Sequence, residues 1–312
     1  MVVHPDSVLP EPYFAACDHG EGLRTSKDAK RNELQPENTR FHRFAARSFF
    51  LNLRFVKKIK FATPFIMKIL VCISNVPDTT TKIAFTSDNK EFNKQGVQFI
   101  INPYDEWYAL VRALELREAQ GGSVTVIHAG AADSEATIRK ALAIGADDAV
   151  RIDAEPGDAY FVAEQVAAYA KDKAYDLVLV GKETISYNGS LVGGMLAEML
   201  GWPFVSLATK LDVANNTATV EQDIDGGTQV VECPLPLVIS AQKGMAEARI
   251  PNMRGIMAAR TKPLAVVPVS NASKLTSAES YQPAEGRKAC KMIDAANMQQ
   301  LVELLHSEAK VI

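Results

Sequence analysis

The stretch "DLVLVGKETISYNGSLVGGMLAEMLGWP", Asp176 to Pro203, decides the fold of this chain. An apolar run ends at Gly181, a polar loop follows, and a helix rich in small residues is predicted to begin near Asn188 or Gly189. Many nucleotide sites are built from a strand, a loop and a helix N-terminus in this order. Neither GxxxxGK[ST] nor GxGxxG is present, so the rest of the chain must decide what this loop holds.

Upstream of this stretch, from Met67 onwards, short apolar runs alternate with segments of helical spacing. The predicted strands are "KILVCI", "SVTVIHAG", "DDAVRI" and "DLVLVG", and the predicted helices include "YDEWYALVRALELREAQGG", "SEATIRKALAIGA" and "AYFVAEQVAAYAKDK". Strands separated by helices of this length form βαβ units with right-handed crossovers. The sequence therefore predicts an α/β fold, a doubly wound, Rossmann-like parallel sheet, over about Met67 to Gly201.

Downstream of Pro203 the pattern changes to four further strands, "SLATKLDV", "TATVEQDI", "GTQVVECP" and "LPLVISAQ". Turn signals at Asn215-Asn216 and Gly226-Gly227 predict an antiparallel hairpin extension with a return strand into the sheet. Val269 to Asp294 has the composition of an extended linker. The final stretch, Asn297 to Ile312, predicts an amphipathic C-terminal helical arm, which either docks on another surface or packs back on its own domain.

Charge separates the first 66 residues from the rest. They carry 11 Lys or Arg against 7 Asp or Glu, whereas the chain from Met67 carries 23 basic and 30 acidic residues. The basic, Phe-rich stretch Thr39 to Phe65 suits an organelle-targeting peptide or a nucleic-acid arm. Acidic residues before Asn38 argue against a transit peptide and favour Met67 as the true start.

Three parts of the chain follow from these patterns. They are residues 1–66, an N-terminal extension that is disordered or a mis-assigned start; residues 67–268, a nucleotide-binding α/β domain; and residues 269–312, a linker with a C-terminal docking helix. We expect a cytoplasmic protein, with the mitochondrial matrix as the alternative if residues 1–66 are a transit peptide.

Composition argues against several classes of protein. The four cysteines are scattered and form no CxxC pair, so neither a zinc site nor a disulfide framework is expected; they are Cys17, Cys72, Cys233 and Cys290. No apolar run approaches the roughly 20 residues of a membrane span. Because His128 ends a buried-looking strand and His306 lies on the terminal helix, we expect no Ser/His/Asp set and no metal site. A nucleotide-holding domain without a catalytic apparatus remains.

Ligands of open parallel sheets sit beyond the carboxyl ends of the strands, which selects the loops after Ile73, His128 and Val180. The loop after Val180 carries backbone N–H groups and hydroxyls and ends at a helix N-terminus, where a phosphate is favoured. In "INPYDEW", Asn102-Pro103 predicts a turn and the acids that follow suit the first turn of a helix. Plain helix starts would explain both stretches equally well.

Six blocks of the chain resemble the β subunit of electron transfer flavoproteins, and they occur in the same order as in that family. They are "MKILVCISNVPDTTTKI", "INPYDEWYALVRALELRE", "SEATIRKALAIGADDAVRI", "DLVLVGKETISYNGSLVGGMLAEMLGWP", "VEQDIDGGTQVVECPLPLVISA" and "EARIPNMRGIMAARTKPL". The resemblance covers Met67 to about Pro263 and the terminal helix. It implies a non-catalytic subunit of a heterodimer, in which a larger α subunit holds the redox-active FAD and this subunit holds AMP, or a second FAD in electron-bifurcating members.

The resemblance also implies a set of nucleotide-binding residues in this chain. They are Cys72, Asn102, Pro103, Tyr104, Asp105, Ala129, Gly181, Lys182, Glu183, Thr184, Asn188, Gly189, Ser190, Leu191 and Val192. Three positions depart from the family pattern. Leu191 cannot donate a hydrogen bond where Gln is common, Gln222 replaces a basic residue beside the Asp225-Gly226-Gly227 signature, and Thr79, near the partner flavin, stands where AMP-type relatives often have Tyr. "VPDT" resembles the bifurcating branch, whereas the absence of its "DGDTAQVG" loop favours AMP.

"EARIPNMRGIMAAR" is similar to the family's recognition loop, and the resemblance implies that Met253, flanked by Arg249 and Arg254, docks on redox partners. The implied function is to accept electrons from flavin dehydrogenases, such as the acyl-CoA dehydrogenases of fatty acid oxidation, and to pass them through a quinone oxidoreductase towards the quinone pool. The alternative is the FAD-binding subunit of an NADH-dependent electron-bifurcating flavoprotein. A stand-alone nucleotide-binding stress protein is a third class, but Thr184 occupies the place of its second glycine. No nucleic acid and no membrane insertion are expected.

Overall fold

The computed structural model describes residues 66–271, 273–286 and 290–312, so the predicted N-terminal extension lies outside the described residues up to residue 65. The strands are β1 Met67–Cys72, β2 Asn75–Pro77, β3 Phe99–Ile101, β4 Gly122–Ala129, β5 Asp148–Asp153, β6 Leu177–Gly181, β7 Phe204–Ala214, β8 Thr217–Ile224, β9 Gly227–Pro234, β10 Leu237–Ala241 and β11 Leu264–Pro268. The helices are α1 Asp105–Gln120, α2 Glu135–Ile144, α3 Ala159–Ala170, α4 Val192–Leu200, α5 Met253–Ala259 and α6 Met298–Leu304, with a short 3₁₀ turn at Ala132–Ser134.

Nine of these strands form one sheet in the order β11-β5-β4-β1-β6-β10-β7-β8-β9, and β2 pairs only with β3. Every pair from β11 to β7 is parallel, and β7, β8 and β9 form an antiparallel extension. From β1 the chain proceeds outward through β4 to β5 and then returns to β6 on the other side of β1. The strand order therefore reverses between β1 and β6, which is where ligands of such sheets bind.

Both faces of the sheet are covered by helices, because the side chains of each strand point alternately to either side. Ile69 and Val71 of β1 pack with Leu110 of α1 in one buried cluster, which also includes α2. Leu70 belongs to the cluster on the opposite face, together with Phe161 of α3 and residues of α4. These layers and the return strand β10, between β6 and β7, confirm the predicted doubly wound fold with its antiparallel extension.

The turns of the antiparallel extension follow the signals in the sequence. Asn215 and Asn216 join β7 to β8 with φ values of 50° and 62°. Asp225 and Gly226 join β8 to β9, and Gly226 has a φ of 87°. Two-residue hairpins need left-handed backbone, which Asn and Gly adopt at low cost.

Two predicted helix boundaries were wrong. Helix α4 begins at Val192 instead of near Asn188 or Gly189, because Asn188 and Ser190 adopt left-handed backbone with φ of 49° and 52°. The terminal helix is shorter than predicted: α6 is followed by a π-helical turn at Leu305–Ala309. None of the residues of α6 is buried, and the described residues between β11 and α6 form neither helix nor strand.

Candidate nucleotide site and docking surface

The carboxyl ends of three neighbouring parallel strands, β1, β4 and β6, bring the predicted nucleotide residues to one edge of the sheet, here called the nucleotide edge. Cys72 is the last residue of β1, Ala129 ends β4 and Gly181 ends β6, and β1 lies between the other two strands. Because β1 and β6 flank the point where the strand order reverses, the loops after these two strands form the centre of the candidate site.

Asn102 fastens the loop after β6 to the turn before α1. Its side chain is 1% exposed; Nδ2 donates to the carbonyl oxygen of Glu183 at 2.9 Å, and Oδ1 accepts from the backbone N–H of Ile185 at 2.9 Å. The backbone N–H of Asn102 donates to the carbonyl oxygen of Ser74 at 3.2 Å. Asn102 thus connects the loop after β6, through its side-chain amide, to the loop after β1, through its backbone N–H. Both ends of the buried side-chain amide are hydrogen-bonded, as burial requires.

Tyr104 and Asp105 form the entry into α1. Tyr104 has a φ of 67°, and its exposed ring lies 6.3 Å from that of Tyr108. A positive φ at a bulky residue costs free energy and is common at ligand sites. Burial raises the pKa of the Asp105 carboxyl, and the positive charge of Lys182 and the backbone N–H of Glu183 oppose that shift. The turn therefore places an acid beside Lys182 and Glu183 of the loop after β6 and leaves an aromatic face exposed.

Position 181 requires glycine because the first residues of α1 lie too close to it for a side chain to fit. A Cβ atom added at this position would lie 2.6 Å from Cγ of Glu106 and 3.3 Å from Cβ of Asp105. Glu106 itself is 4% exposed; it accepts hydrogen bonds from the backbone N–H of Ser74 and, at 2.7 Å, from the Ser74 hydroxyl. Sequence reasoning treated this acid only as a helix start and missed its contacts with the loop after β1 and with the end of β6.

The loop from Lys182 to Leu191 leads into α4 without a side-chain cap. The backbone N–H of Lys182 donates to the carbonyl oxygen of Ala241 at 2.8 Å, and Lys182 Nζ lies 3.2 Å from Glu183 Oε1. Leu191 occupies the N-cap position and accepts no bond through its side chain. The first N–H groups of a helix have no intrahelical acceptor, so those of α4 are donors suited to a phosphate.

Gly193, in the first turn of α4, lets the helix approach the sheet closely. A Cβ atom at this position would lie 2.9 Å from side-chain atoms of both Phe204 and Val180. The remaining predicted residues of the loop, Thr184, Asn188, Gly189 and Ser190, precede the helix, and the Ser190 hydroxyl donates to Glu183 Oε2 at 3.4 Å. Uncapped amides, hydroxyls and a nearby lysine are a donor set that fits a nucleotide phosphate.

The potential nucleophile and base near this edge are both held in their neutral forms. Burial raises the pKa of the Cys72 thiol, and the negative charge of Glu106 acts in the same direction. Burial lowers the pKa of His128, whose Nδ1 lies 2.9 Å from the carbonyl oxygen of Ile73. Within the described residues no cluster of His, Cys, Asp and Glu is arranged to hold a metal ion. No helix in the described ranges has the length and apolar character needed to cross a membrane.

A second candidate surface lies at α5, where apolar side chains are exposed. Met253 is 73% exposed and Ile250, which sequence reasoning missed, is 83% exposed. The carboxamide oxygen of Asn252 accepts from the N–H of Gly255 at 2.8 Å and caps α5. This cap fixes the start of the helix at Met253, whereas Ile250 lies in the irregular segment just before the cap. The docking surface is defined here as Arg249 to Arg260.

The arginines of the docking surface differ in their partners. Arg249 forms two hydrogen bonds with the carboxylate of Glu118, at 2.7 and 3.2 Å. Arg254 and Arg260 form no salt bridge with any acid in the described part of the chain. Arg260 also lines an open groove of about 600 Å³ between α2 and α5. Positive charge is therefore available to a partner mainly from Arg254 and Arg260.

Thr79, the residue predicted to lie near a partner flavin, sits in an exposed turn after β2. The Asp78 carboxylate accepts from the backbone N–H of Thr80 at 2.9 Å and from its hydroxyl at 2.7 Å. These bonds lower the pKa of Asp78. The turn is therefore locally ordered while Thr79 stays accessible.

Comparisons with known proteins agree on one family. The family model described as "Electron transfer flavoprotein domain" matches residues 90–272. The chain is 34% identical over 261 residues to the electron transfer flavoprotein subunit beta of Bacillus subtilis, covering 79% of this chain and 100% of that protein. It is 31% identical over 253 residues to the subunit beta of Bradyrhizobium diazoefficiens and 33% identical over 258 residues to the "Electron transfer flavoprotein subunit beta, mitochondrial" of Oryza sativa subsp. indica, each covering 79% of this chain and 100% of the relative.

Proposed function

This chain belongs to the family of electron transfer flavoprotein β subunits, and we propose that it pairs with an α subunit to carry electrons from flavin dehydrogenases towards the quinone pool. In this proposal the heterodimer holds one FAD, mainly in the α subunit, and this chain holds an AMP. The chain itself is a non-catalytic subunit of the carrier. Acyl-CoA dehydrogenases are the proposed donors and a quinone oxidoreductase the proposed acceptor.

The observation that carries the nucleotide proposal is the set of hydrogen bonds made by Asn102, beside the point where the strand order reverses between β1 and β6. Asn102 holds the loop after β6 at Glu183 and Ile185, so that the loop enters α4 with its first N–H groups uncapped. A phosphate would be held by these amides and by the hydroxyl of Ser190, with Lys182 nearby. Tyr104 offers a planar face for a base. Cys72 and Ala129, both with small side chains, end the neighbouring strands β1 and β4.

The proposed role of this chain in electron transfer is to position and enclose the flavin that is held mainly by the α subunit. FAD, when bound, supplies the electron-carrying chemistry, and the protein contributes orientation and electrostatics. Neutral Cys72 and neutral His128 keep charge away from the interior of the nucleotide edge. Thr79 lies in an ordered, exposed turn from which the chain would face the flavin of the α subunit.

The docking surface suits several partners in turn. Ile250 and Met253 supply exposed apolar area, and a Met side chain adapts to different pockets. Arg254 and Arg260 would attract acidic dehydrogenase surfaces and raise association rates. This arrangement fits a carrier that must bind briefly to a donor and then to an acceptor, since a small apolar anchor with charged surroundings supports fast exchange.

Nucleotide content tests the proposal directly. We would co-purify the full chain with its α-type partner, denature the complex and quantify the released nucleotides by chromatography. One FAD and one AMP per heterodimer is the expected result, with flavin reduction by a dehydrogenase and its substrate but not by NADH alone. Two FAD per heterodimer with NADH-dependent bleaching would instead establish the electron-bifurcating alternative. Failure to bind an α subunit would favour a stand-alone nucleotide-binding protein.

The cellular location is also a proposal. A cytoplasmic site suits a bacterial type of heterodimer, and the mitochondrial matrix is the alternative if residues 1–66 serve as a transit peptide. N-terminal sequencing of the protein isolated from its own cells distinguishes the two. A mature chain beginning close to Met67, recovered from the matrix, would overturn the cytoplasmic assignment.

A further inference from the structure

Glu106 is a buried acid at the candidate nucleotide site, in contact with the loop after β1 and with the end of β6. It is the second residue of α1, directly after the turn that contains Asn102. Its carboxylate accepts from both the backbone N–H and the hydroxyl of Ser74, in the loop after β1. Its Cγ packs against Gly181, the last residue of β6. One side chain therefore links the loop after β1 to the end of β6, where the loop to α4 begins.

The contacts of Glu106 are not those of an ordinary helix-start acid. Acids in a first turn usually remain solvated and interact with the helix dipole, whereas this one is 4% exposed and is bonded to a different segment of the chain. No Lys, Arg or His in the described ranges lies within salt-bridge distance of it. Burying a carboxyl without a cation is costly, so its bonds to Ser74 must offset part of that cost.

We propose that Glu106 is a positioning residue that holds the loop after β1 against the end of β6 and thereby sets how tightly the site retains its nucleotide. This inference rests on the proposed nucleotide site. Ser74 is followed directly by β2, which leads to Thr79, so the same contact joins the nucleotide edge to the segment proposed to face the partner flavin. Loss of the contact would loosen both segments together, because Gly181 offers no side chain to replace it.

The protonation state of Glu106 gives this role a measurable signature. Burial raises its pKa to about 8 from 4.5, opposed by the bonds from Ser74 and reinforced by the charge of Asp105. The other ionisable groups at this edge include Asp105 on α1, the neutral thiol of Cys72 on β1, neutral His128 on β4 and the Lys182–Glu183 ion pair after β6. At neutral pH the protonated acid prevails, and above pH 8 a buried negative charge appears beside the acids that already surround the phosphate loop.

The sign of the resulting pH dependence follows from proton binding. Between pH 4.5 and about 8 the folded chain holds a proton on Glu106 that the unfolded chain has released. The contribution of this group to stability therefore falls as the pH rises through that range. Nucleotide retention should decline as the pH passes about 8, because the ionised carboxylate repels a phosphate and competes for solvation.

Two variants of Glu106 distinguish a positioning role from a general contribution to folding stability. Glu106→Gln keeps the size and one acceptor but cannot ionise, whereas Glu106→Ala removes the contact with Ser74. We would measure the rate of nucleotide release from the purified heterodimer between pH 7 and 9. At pH 7 Glu106→Ala should release nucleotide about tenfold faster than wild type, the size of effect expected when a buried hydrogen-bonding group is removed. Glu106→Gln should release at nearly the wild-type rate at pH 7 and lose the acceleration above pH 8.

Gln165→Ala is the matched control, because Gln165 is an equally buried polar side chain on α3 that bonds to Ser270 and not to the site loops. It should lower the melting temperature without changing nucleotide release. Release from Glu106→Ala at the wild-type rate, or a wild-type pH profile in Glu106→Gln, would overturn the inference while leaving the proposed function standing. A wild-type heterodimer without bound nucleotide would contradict the proposed function and this inference together. Should Glu106→Ala fail to fold, the pH profile of Glu106→Gln decides.

Discussion

The nucleotide edge and the docking surface depart from the usual arrangement of side chains in opposite ways. At the nucleotide edge, polar groups are buried and satisfied, as with Asn102 and Glu106. At the docking surface, Ile250 and Met253 are exposed, and Arg254 forms no salt bridge within the described residues. Satisfied buried polar networks hold one geometry, whereas exposed apolar side chains are available to bind a partner protein. The difference supports the proposed roles, in which one region retains a ligand and the other exchanges partners.

The largest effect that this comparison predicts is at Asn102. Asn102→Ala removes both acceptor and donor from the loop after β6 and leaves the N–H of Ile185 and the carbonyl oxygen of Glu183 unsatisfied. We expect the free energy of unfolding to fall by about 2 kcal/mol and most of the nucleotide to be lost. Urea unfolding of the heterodimer and nucleotide quantification measure the two effects.

Asn252→Ala provides the counterpart at the docking surface. It removes the cap of α5, which costs about 1 kcal/mol, but should leave the nucleotide content at the wild-type level because α5 takes no part in the nucleotide edge. Equal loss of nucleotide from Asn102→Ala and Asn252→Ala would contradict the independence of the two regions.

A smaller effect, on rate instead of stability, is expected for the apolar anchors. Ile250→Ala and Met253→Ala should each slow electron transfer from a dehydrogenase up to about tenfold, since truncating an interface anchor typically costs about 1–2 kcal/mol of binding. Stability should change by less than about 0.5 kcal/mol, as for other exposed positions. Stopped-flow reduction of the bound flavin measures the rate.

Val230→Ala serves as the control for these variants, because Val230 is an exposed apolar residue on β9, outside the docking surface. It should transfer electrons at the wild-type rate. Comparing Ile250→Ala with Met253→Ala also decides which side chain is the main anchor. Equal rates for all three variants and the wild type would remove the docking assignment.

The smallest effects are expected for the arginines, and they sharpen the distinction between paired and unpaired charges. Arg254→Gln should lower the association rate with a dehydrogenase about two- to threefold at low salt, and this difference should vanish at high salt. Arg249→Gln should change the association rate less, because Glu118 already neutralises Arg249. Its stability cost should not exceed about 1 kcal/mol, as for surface ion pairs. A larger rate effect at Arg249 than at Arg254 would contradict this order.

Much of the fold could be predicted from local patterns. The strand runs, the helix spacing and the Asn215-Asn216 turn each depend on residues close together in sequence, and the structure has them where they were predicted. Helix α4 began later than predicted because its N-terminal boundary depends on left-handed backbone at Asn188 and Ser190, which side-chain periodicity does not encode.

The candidate site was predictable only in part. The rule for ligands of parallel sheets selected the loops after β1, β4 and β6, and the family resemblance supplied the individual residues; the strands that carry them are neighbours in the sheet. Glu106 was missed because nothing in "NPYDEW" distinguishes a solvated helix-start acid from one buried against Gly181. Ile250 was missed because exposure depends on the packing of α5, and the pattern around Met253 gives no sign of it.

The amino-acid sequence by itself determined the alternation of strands and helices, the parallel sheet, the hairpin turns and the family, because each is encoded by nearby residues or by blocks in a fixed order. Only the tertiary structure decided which acid is buried, which arginine is paired and which apolar side chain is left exposed. Those properties depend on segments far apart in the chain, such as Ser74, Glu106 and Gly181, and burial and pairing exist only once such segments are packed together.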